Sequence, residues 1–218
     1  MKKTSLSACP LFFNINEEAI PDLLSTLCAH RLTYQKNSFL YHRHDAIHAL
    51  GIVCSGCIHI LKQDYLGNNS IYADIKVNEL FAESFALNGS LLQVDIMAGE
   101  DSEVLWIPIQ KLVNNCPKDP TQSMVVQNLL RILSNKNQYL TKRMDVLSQR
   151  TTKEKVLQYL QQQAILQQSD IIEVSWNRQQ LADYLCVERS ALSTVLSQLK
   201  QDGLIAYDKN KFQLHQMK

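Results

Sequence analysis

Hydrophobic positions recur with two different periods along this chain, and the change of period falls near its middle. From Leu32 to Ile109 the apolar residues come in short alternating runs: FLYH, ALGIVCSG, CIHILKQ, SIYADIKV, LQVDIMAG and SEVLWIPI. Alternation puts successive side chains on opposite faces of a strand. Turn residues separate the runs at Lys36-Asn37, Gly56, Leu66-Gly67-Asn68-Asn69, Asn88-Gly89 and Gly99-Glu100, so about eight short strands in a sandwich or jelly roll are expected. Ahead of them, residues 10–30 read as short amphipathic helices starting near Asn16-Glu17 and Pro21. Behind them, Ile107 to Cys116 reads as a short return helix, and Pro117 and Pro120 mark a break.

Beyond that break the period becomes helical. A long helix is expected from about Thr121 to Leu147, in which Val126, Leu130, Leu133, Asn137, Leu140, Met144 and Leu147 follow a 4-3-4-3-4-3 spacing. Such a heptad seam extends roughly 32 Å at 1.5 Å per residue. Asn137 falls at an a position, where one amide sets register and two-strandedness, so a parallel dimer seam is expected; a helix packed on its own domain meets the same pattern. Thr151 and Glu154 form a capping box opening a further helix, with Val156, Leu157, Leu160 and Ile165 inward. Its glutamines, Gln161 to Gln163 with Gln167 and Gln168, read as a solvated face.

The stretch WNRQQLADYLCVERSALSTVLSQLKQDGL, Trp176 to Leu204, carries two more helices. Asn177 and Gln180 form a capping box, and Leu181, Ala182 and Leu185 give the first helix its buried stripe. A turn at Cys186-Val187 leads to a second helix from Glu188. There Ala191, Leu192, Val195, Leu196 and Leu199 point inward and Arg189, Ser190, Ser193, Thr194, Ser197 and Lys200 outward, until Gly203 stops it. Two short helices on a tight turn, with an Arg and small polar groups near the start of the second, make a helix-turn-helix suited to a major groove, although a plain helical hairpin with a solvated face shares the pattern. The closing LIAYDKNKFQLH reads as two strands around Asp208 to Asn210, a wing whose Lys209 or Lys211 could reach a phosphate.

Charge sharpens this division. The net charge of +1 hides 9 Lys and Arg against 12 Asp and Glu in residues 1–118, 4 against 2 in 119–148, and 9 against 7 in 149–218. The basic excess lies with the expected reading head and is mild, so two heads sharing phosphate contacts are expected for DNA affinity. Five prolines and five of six glycines precede residue 121. With no run of about 18 apolar residues and too short an apolar stretch at the N-terminus for a secretory signal, a cytoplasmic location is expected. Six cysteines without a framework spacing suit free thiols. No nucleophile elbow, phosphate loop or paired carboxylates occur, so an enzyme is not expected.

The order of these parts, with Pro10-Leu11-Phe12, Gly56 before CIHILK, Phe81-Ala82-Glu83 and RQQLADYL-CVERSALSTVLSQL-KQDGLI, resembles the Crp/Fnr family of bacterial transcription regulators. The resemblance covers nearly the whole chain. It implies an α+β protein with a cyclic-nucleotide-binding-like β jelly roll as effector sensor (residues 1–118), a central dimerisation helix (119–148) and a winged helix-turn-helix (149–218). It further implies a homodimer on a pseudo-palindromic double-stranded DNA site, with a small effector and RNA polymerase as further partners. Arg189 would read a guanine, with Ser190, Ser193 and Thr194 beside it; Asn177, Arg178, Ser197, Lys200, Lys209 and Lys211 would contact phosphate. The family's usual Glu and second Arg on this helix match Ser190 and Thr194, so a borrowed consensus box does not apply.

The family's nucleotide cassette pairs a Gly-Glu with a later Arg-Ser/Thr. Here Ala82 replaces the Gly, Glu83 remains with Ser84 after it, and Gln93 and Val94 match the Arg-Ser pair. An amide does not replace a bidentate guanidinium, and Asp95 alongside repels an anion, so cyclic AMP is not the expected effector. Gln138 and Tyr139 match family positions that touch the ligand from the helix. The sequence names no cofactor: Cys9 stands alone where the family's iron–sulfur branch has a cluster. No metal set closes either, the nearest approaches being His42 and His44, expected on one side of a strand, and Cys54-x-x-Cys57. The alternative reading is a ligand-, redox- or haem-sensing module that acts through protein contacts with weak or no DNA binding.

Overall fold

The computed structural model describes residues 6–63, 69–114 and 119–215. The turn expected at Leu66–Asn68, Cys116 and the break at Pro117 lie outside the described residues. The chain divides into two compact units, residues 1–133 and 134–218.

In the first unit, 3₁₀ turns at Pro10–Phe12 and Glu17–Ala19 lead into α1 (Ile20–Thr26), and Asn16 caps the second turn by accepting from the Glu18 amide. Among the described residues eight strands follow: β1 (His30–Tyr34), β2 (Phe39–Tyr41), β3 (Ala49–Ser55), β4 (Ile58–Gln63), β5 (Asn69–Ile75), β6 (Leu80–Phe81), β7 (Asp95–Ala98) and β8 (Ser102–Pro108). They form two antiparallel sheets, ordered β1-β8-β3-β6 and β2-β7-β4-β5. The sequence pattern missed β6 and the following helix α2 (Glu83–Asn88), because two apolar residues are too few to show a period.

Alternation explains why β3 and β8 are buried along most of their length. Val53, Val104 and Trp106 face the sandwich interior with Ile58, Phe81, Leu92 and Ile96. Leu50, Ile52, Leu105 and Ile107 face the other way, against Leu11, Phe12, Leu27, Leu112, Val125 and Leu129. A strand covered on both faces reads as a nearly continuous apolar run, as ALGIVCS and SEVLWIP do. The return helix α3 (Ile109–Asn114) begins at Ile109 rather than Ile107, since β8 keeps its pairing to Pro108.

The long helix α4 spans Pro120–Leu147. Its first half carries two buried amides that the heptad pattern did not single out. Gln122 donates to the carbonyls of Lys111 and Leu112, and Asn128 to those of Leu11 and Phe13. Both satisfy backbone oxygens that burial would otherwise strand.

In the second unit, α5 (Thr152–Gln167) opens on the expected capping box of Thr151 and Glu154. A short strand β9 (Ile171–Glu173), α6 (Arg178–Leu185), α7 (Arg189–Gln201), β10 (Ile205–Asp208) and β11 (Lys211–Leu214) complete a winged helix-turn-helix with sheet order β10-β11-β9. Val156, Leu160, Leu181, Leu185, Leu192, Leu196, Leu199 and Phe212 form its core. Two expectations fail here. Ile165 is 77% exposed, and Tyr159, six residues earlier, is buried instead, stacked on Trp176 with ring centroids 5.9 Å apart. The glutamine run is more than a solvated face: Gln167 donates to the Glu173 carbonyl and accepts from its amide, which holds β9, and Gln162 donates to the Lys142 carbonyl.

Candidate nucleic-acid interface

Helix α6 starts on the Asn177–Gln180 capping box, each side chain accepting from the other residue's backbone amide. It ends where Cys186 turns left-handed at φ 52°, with the Cys186 amide donating to Asp183 and the Val187 amide to Ala182. Helix α7 ends the same way: Gly203 has φ 71°, its amide donates to Lys200, and the Leu204 amide donates to Leu199. These paired 5→2 and 6→1 bonds are Schellman closures. The left-handed residue suits glycine at 203; at 186 a cysteine adopts it, which is why the turn lacks the usual glycine signal.

The closures fix α7 so that Leu192, Leu196 and Leu199 are buried while Arg189, Ser190, Ser193, Thr194, Ser197 and Lys200 are exposed. Three of the hydroxyls are already oriented by the helix itself. Ser193 donates to the Arg189 carbonyl at 3.0 Å, Thr194 to Ser190 at 3.1 Å and Ser197 to Ser193 at 3.0 Å. With their protons turned inward they present lone pairs outward, and a rotation would exchange acceptor for donor.

The phosphate candidates differ among themselves. Lys209 sits at the wing tip with φ 49°, and Lys211 is exposed beside it. The Lys200 ammonium lies 5.2 Å from the Tyr207 ring centroid, along the base of the wing. Arg178 is engaged differently. Its guanidinium donates to the Lys209 carbonyl and lies 5.4 Å and 5.0 Å from the ring centroids of Tyr207 and Phe212. Burial lowers its pKa below that of a free guanidinium, with the nearby Tyr207 acting against the shift. It therefore pins the wing to the start of α6. Tyr207 and Phe212 were not apparent as partners in the sequence, since they lie some thirty residues away.

In the first unit, Ala82 has the left-handed φ of 62° that a glycine would take without strain, at a cost of about 1 kcal/mol. Glu83 is buried, whereas Ser84 and Gln93 are exposed and Val94 is half-buried. The Gln93 amide donates to the Leu91 carbonyl at 3.3 Å. Asp95 accepts from the Arg43 amide and lies 3.5 Å from His42. In the second unit, Gln138 and Tyr139 are exposed on α4.

The strand placement expected of His42 and His44 fails. His42 and His44 lie in a turn after β2, not on a strand, because His44 adopts φ 74° and its amide is bonded to Leu92; His42 instead packs on Phe39. Cys54 is buried on β3 facing the helical layer, and burial raises its pKa. Cys9 is buried too and is pushed up to about 11 by desolvation. Cys57 meets His59 and Asp74 rather than Cys54, with ligand atoms within 4.8 Å of one another. That grouping needs the β4–β5 register and was not legible from spacing.

Residues 31–119 match the cyclic nucleotide-binding domain family, and residues 154–218 the Crp-like helix-turn-helix domain family. The chain belongs to the Crp/Fnr family. No curated protein sequence matches it. In fold, this Crp/Fnr chain is similar to the catabolite activator protein of Thermus thermophilus, with 19% identity, a TM-score of 0.54, and 94% of this chain and 93% of that one covered. The N-terminal domain of a transcriptional regulator from Streptomyces coelicolor A3(2) matches at 18% identity and TM-score 0.52, covering 62% of this chain and 95% of that one. The c-di-GMP-responsive global regulator CLP of Xanthomonas campestris matches at 16% identity and TM-score 0.51, covering 93% and 100%. A Crp-like reading head behind a cyclic nucleotide-binding-type domain is the architecture of DNA-binding transcription regulation. Among the described residues no helix is long and apolar enough to cross a membrane.

Proposed function

We propose that this Crp/Fnr protein is a homodimeric, sequence-specific transcription regulator whose β-roll responds to a small effector other than cyclic AMP. The outward face of α7 carries the DNA-reading part of this proposal. Its one guanidinium, Arg189, is exposed and would make a bidentate guanine contact, and Ser190, Ser193 and Thr194 would offer hydroxyls to neighbouring base edges. Asn177, Ser197, Lys200, Lys209 and Lys211 supply positioning contacts to phosphate, and Arg178 acts chiefly by holding the wing that carries Lys209.

Dimerisation is supported by the seam. In the single chain Leu130, Leu140 and Met144 are 61%, 59% and 66% exposed, Asn137 is exposed between them, and Val126, Leu133 and Leu147 are half-covered. A second copy of the same helix, aligned in parallel, covers that stripe and places Asn137 opposite its own equivalent. On this reading α4 serves as the dimerisation helix between a sensory region of residues 1–118 and a reading head of residues 149–218. The segment from Leu147 to Thr152 would be the hinge through which an effector biases the two heads. RNA polymerase is the partner through which such a regulator would act.

Side-chain chemistry disfavours cyclic AMP. At the positions of the phosphate-holding pair stand Gln93, exposed and bonded to its own loop, and Val94, which has no side-chain donor, with the Asp95 carboxylate next to them. The Xanthomonas protein of the same fold is named for a different nucleotide, so the scaffold itself does not dictate the ligand.

Selection from random duplex DNA tests the reading. The expected product is a pseudo-palindrome with half-sites about 34 Å apart, bound with a steep salt dependence. A motif without two-fold symmetry would overturn the dimer, and no enrichment at all would overturn DNA reading.

A further inference from the structure

In the outer sheet of the β-roll, a cluster that plays no part in DNA reading brings together sulfur, nitrogen and oxygen donors. His59 on β4 pairs directly across the ladder with Asp74 on β5, and their Nδ1 and Oδ1 atoms are 2.5 Å apart. Cys57 precedes His59 by two residues and so shares its side of the strand, opposite the core residue Ile58. The Cys57 sulfur, the His59 nitrogen and the Asp74 oxygen all lie within 4.8 Å of one another. Cys57 is 3% exposed, while the side chains of His59 and Asp74 are 21% and 45% exposed, so the cluster is closed at the sulfur and open at the carboxylate.

We propose that Cys57, His59 and Asp74 bind one divalent transition-metal ion of the zinc class, with water completing a tetrahedral site on the open side. Thiolate, imidazole and carboxylate together select a borderline ion over magnesium or calcium, which take oxygen alone. With metal–ligand distances of about 2.0–2.3 Å the donors would settle roughly 3.5 Å apart, a shift of about an ångström from the present positions. The His59–Asp74 hydrogen bond would open to admit the ion. The backbone favours Nδ1 as the ligand nitrogen: a Cβ on Gly99 would lie 2.2 Å from His59 Nε2, so glycine there lets the ring sit with Nε2 against the chain and Nδ1 toward Asp74. A cation already approaches the sulfur. The Lys76 ammonium is 3.7 Å from Cys57 Sγ, and its flexible stem lets it withdraw when an ion arrives.

Cobalt titration of the full-length, chelator-treated protein tests this. One equivalent of Co²⁺ should give tetrahedral visible bands and a thiolate-to-cobalt charge-transfer band, displaced by Zn²⁺, and Zn²⁺ should raise the thermal midpoint. Cys57→Ser should abolish the charge-transfer band, and Cys28→Ser, at an exposed thiol outside the cluster, should retain it. His59→Gln and Asp74→Asn keep the sulfur and should weaken Zn²⁺ binding by about 100-fold or more, beyond the 10–100-fold typical of losing an outer-sphere partner. If Cys57→Ser does not fold, these two variants decide. A wild-type protein without the charge-transfer band, a band that survives Cys57→Ser, or unchanged affinity in His59→Gln overturns the proposal.

Discussion

The outer face of α7 and the segment from Ala82 to Val94 both depart from the pattern of their family, but the departures differ in consequence. On α7 the substitutions Ser190 and Thr194 leave a complete helix surface, with Arg189 still outward and the Thr194 hydroxyl bonded to the Ser190 carbonyl. In the β-roll, on the proposed reading, Gln93 and Val94 bring no charge to the positions that would hold a phosphodiester, and Ala82 occupies a backbone conformation better suited to glycine. A surface that reads by many small contacts can change its target and still read. A pocket that depends on one guanidinium loses its ligand class when that residue goes.

The largest expected effect tests whether the reading surface is separable from its scaffold. Leu196→Ala should lower the stability of the second unit by about 2–5 kcal/mol, measured by denaturant unfolding followed through Trp176 fluorescence. Ser193→Ala should stay within about 0.5 kcal/mol. Similar losses in the two variants would show that the outer face is part of the scaffold after all. Next in size, Arg189→Ala should cost about 1–3 kcal/mol in binding the selected site and relax preference at one base per half-site. Equal weakening on every sequence would reassign Arg189 to phosphate. The smallest effect belongs to the β-roll: Ala82→Gly should relieve the left-handed strain and raise stability by about 0.5–1 kcal/mol. It should restore no cyclic AMP binding by calorimetry while Gln93 and Val94 stand. Binding restored by that single change would place the defect in backbone shape rather than in the missing charge.

Much of the fold was legible because its signals are local. The capping boxes at Thr151 and Asn177, the stop at Gly203 and the alternation in ALGIVCS each lie within a few residues, and the structure places them as expected. What the sequence concealed depends on distant partners. Asn128 resembles any polar helix residue until Leu11 and Phe13 are seen to need a donor, and Asp74 acquires a role only through the register that sets it against His59. Arg178 reads in sequence as a phosphate contact, and nothing nearby announces its hold on Tyr207 and Phe212. Ile165 misled through helical spacing alone, because the period marks a face but not where the packing ends. His42 and His44 misled in the opposite sense, since alternation was extended three residues past the end of β2 into a turn.

The back-bonded hydroxyls of α7 also bear on how such a protein diverges. Ser193, Thr194 and Ser197 lie outside the second unit's core and donate to carbonyls of their own helix. Exchanging them changes what the helix can recognise while leaving the fold almost untouched. Such a surface is open to drift, and a duplicated copy of this chain could acquire a new set of operators by a few point changes without first passing through an unstable intermediate.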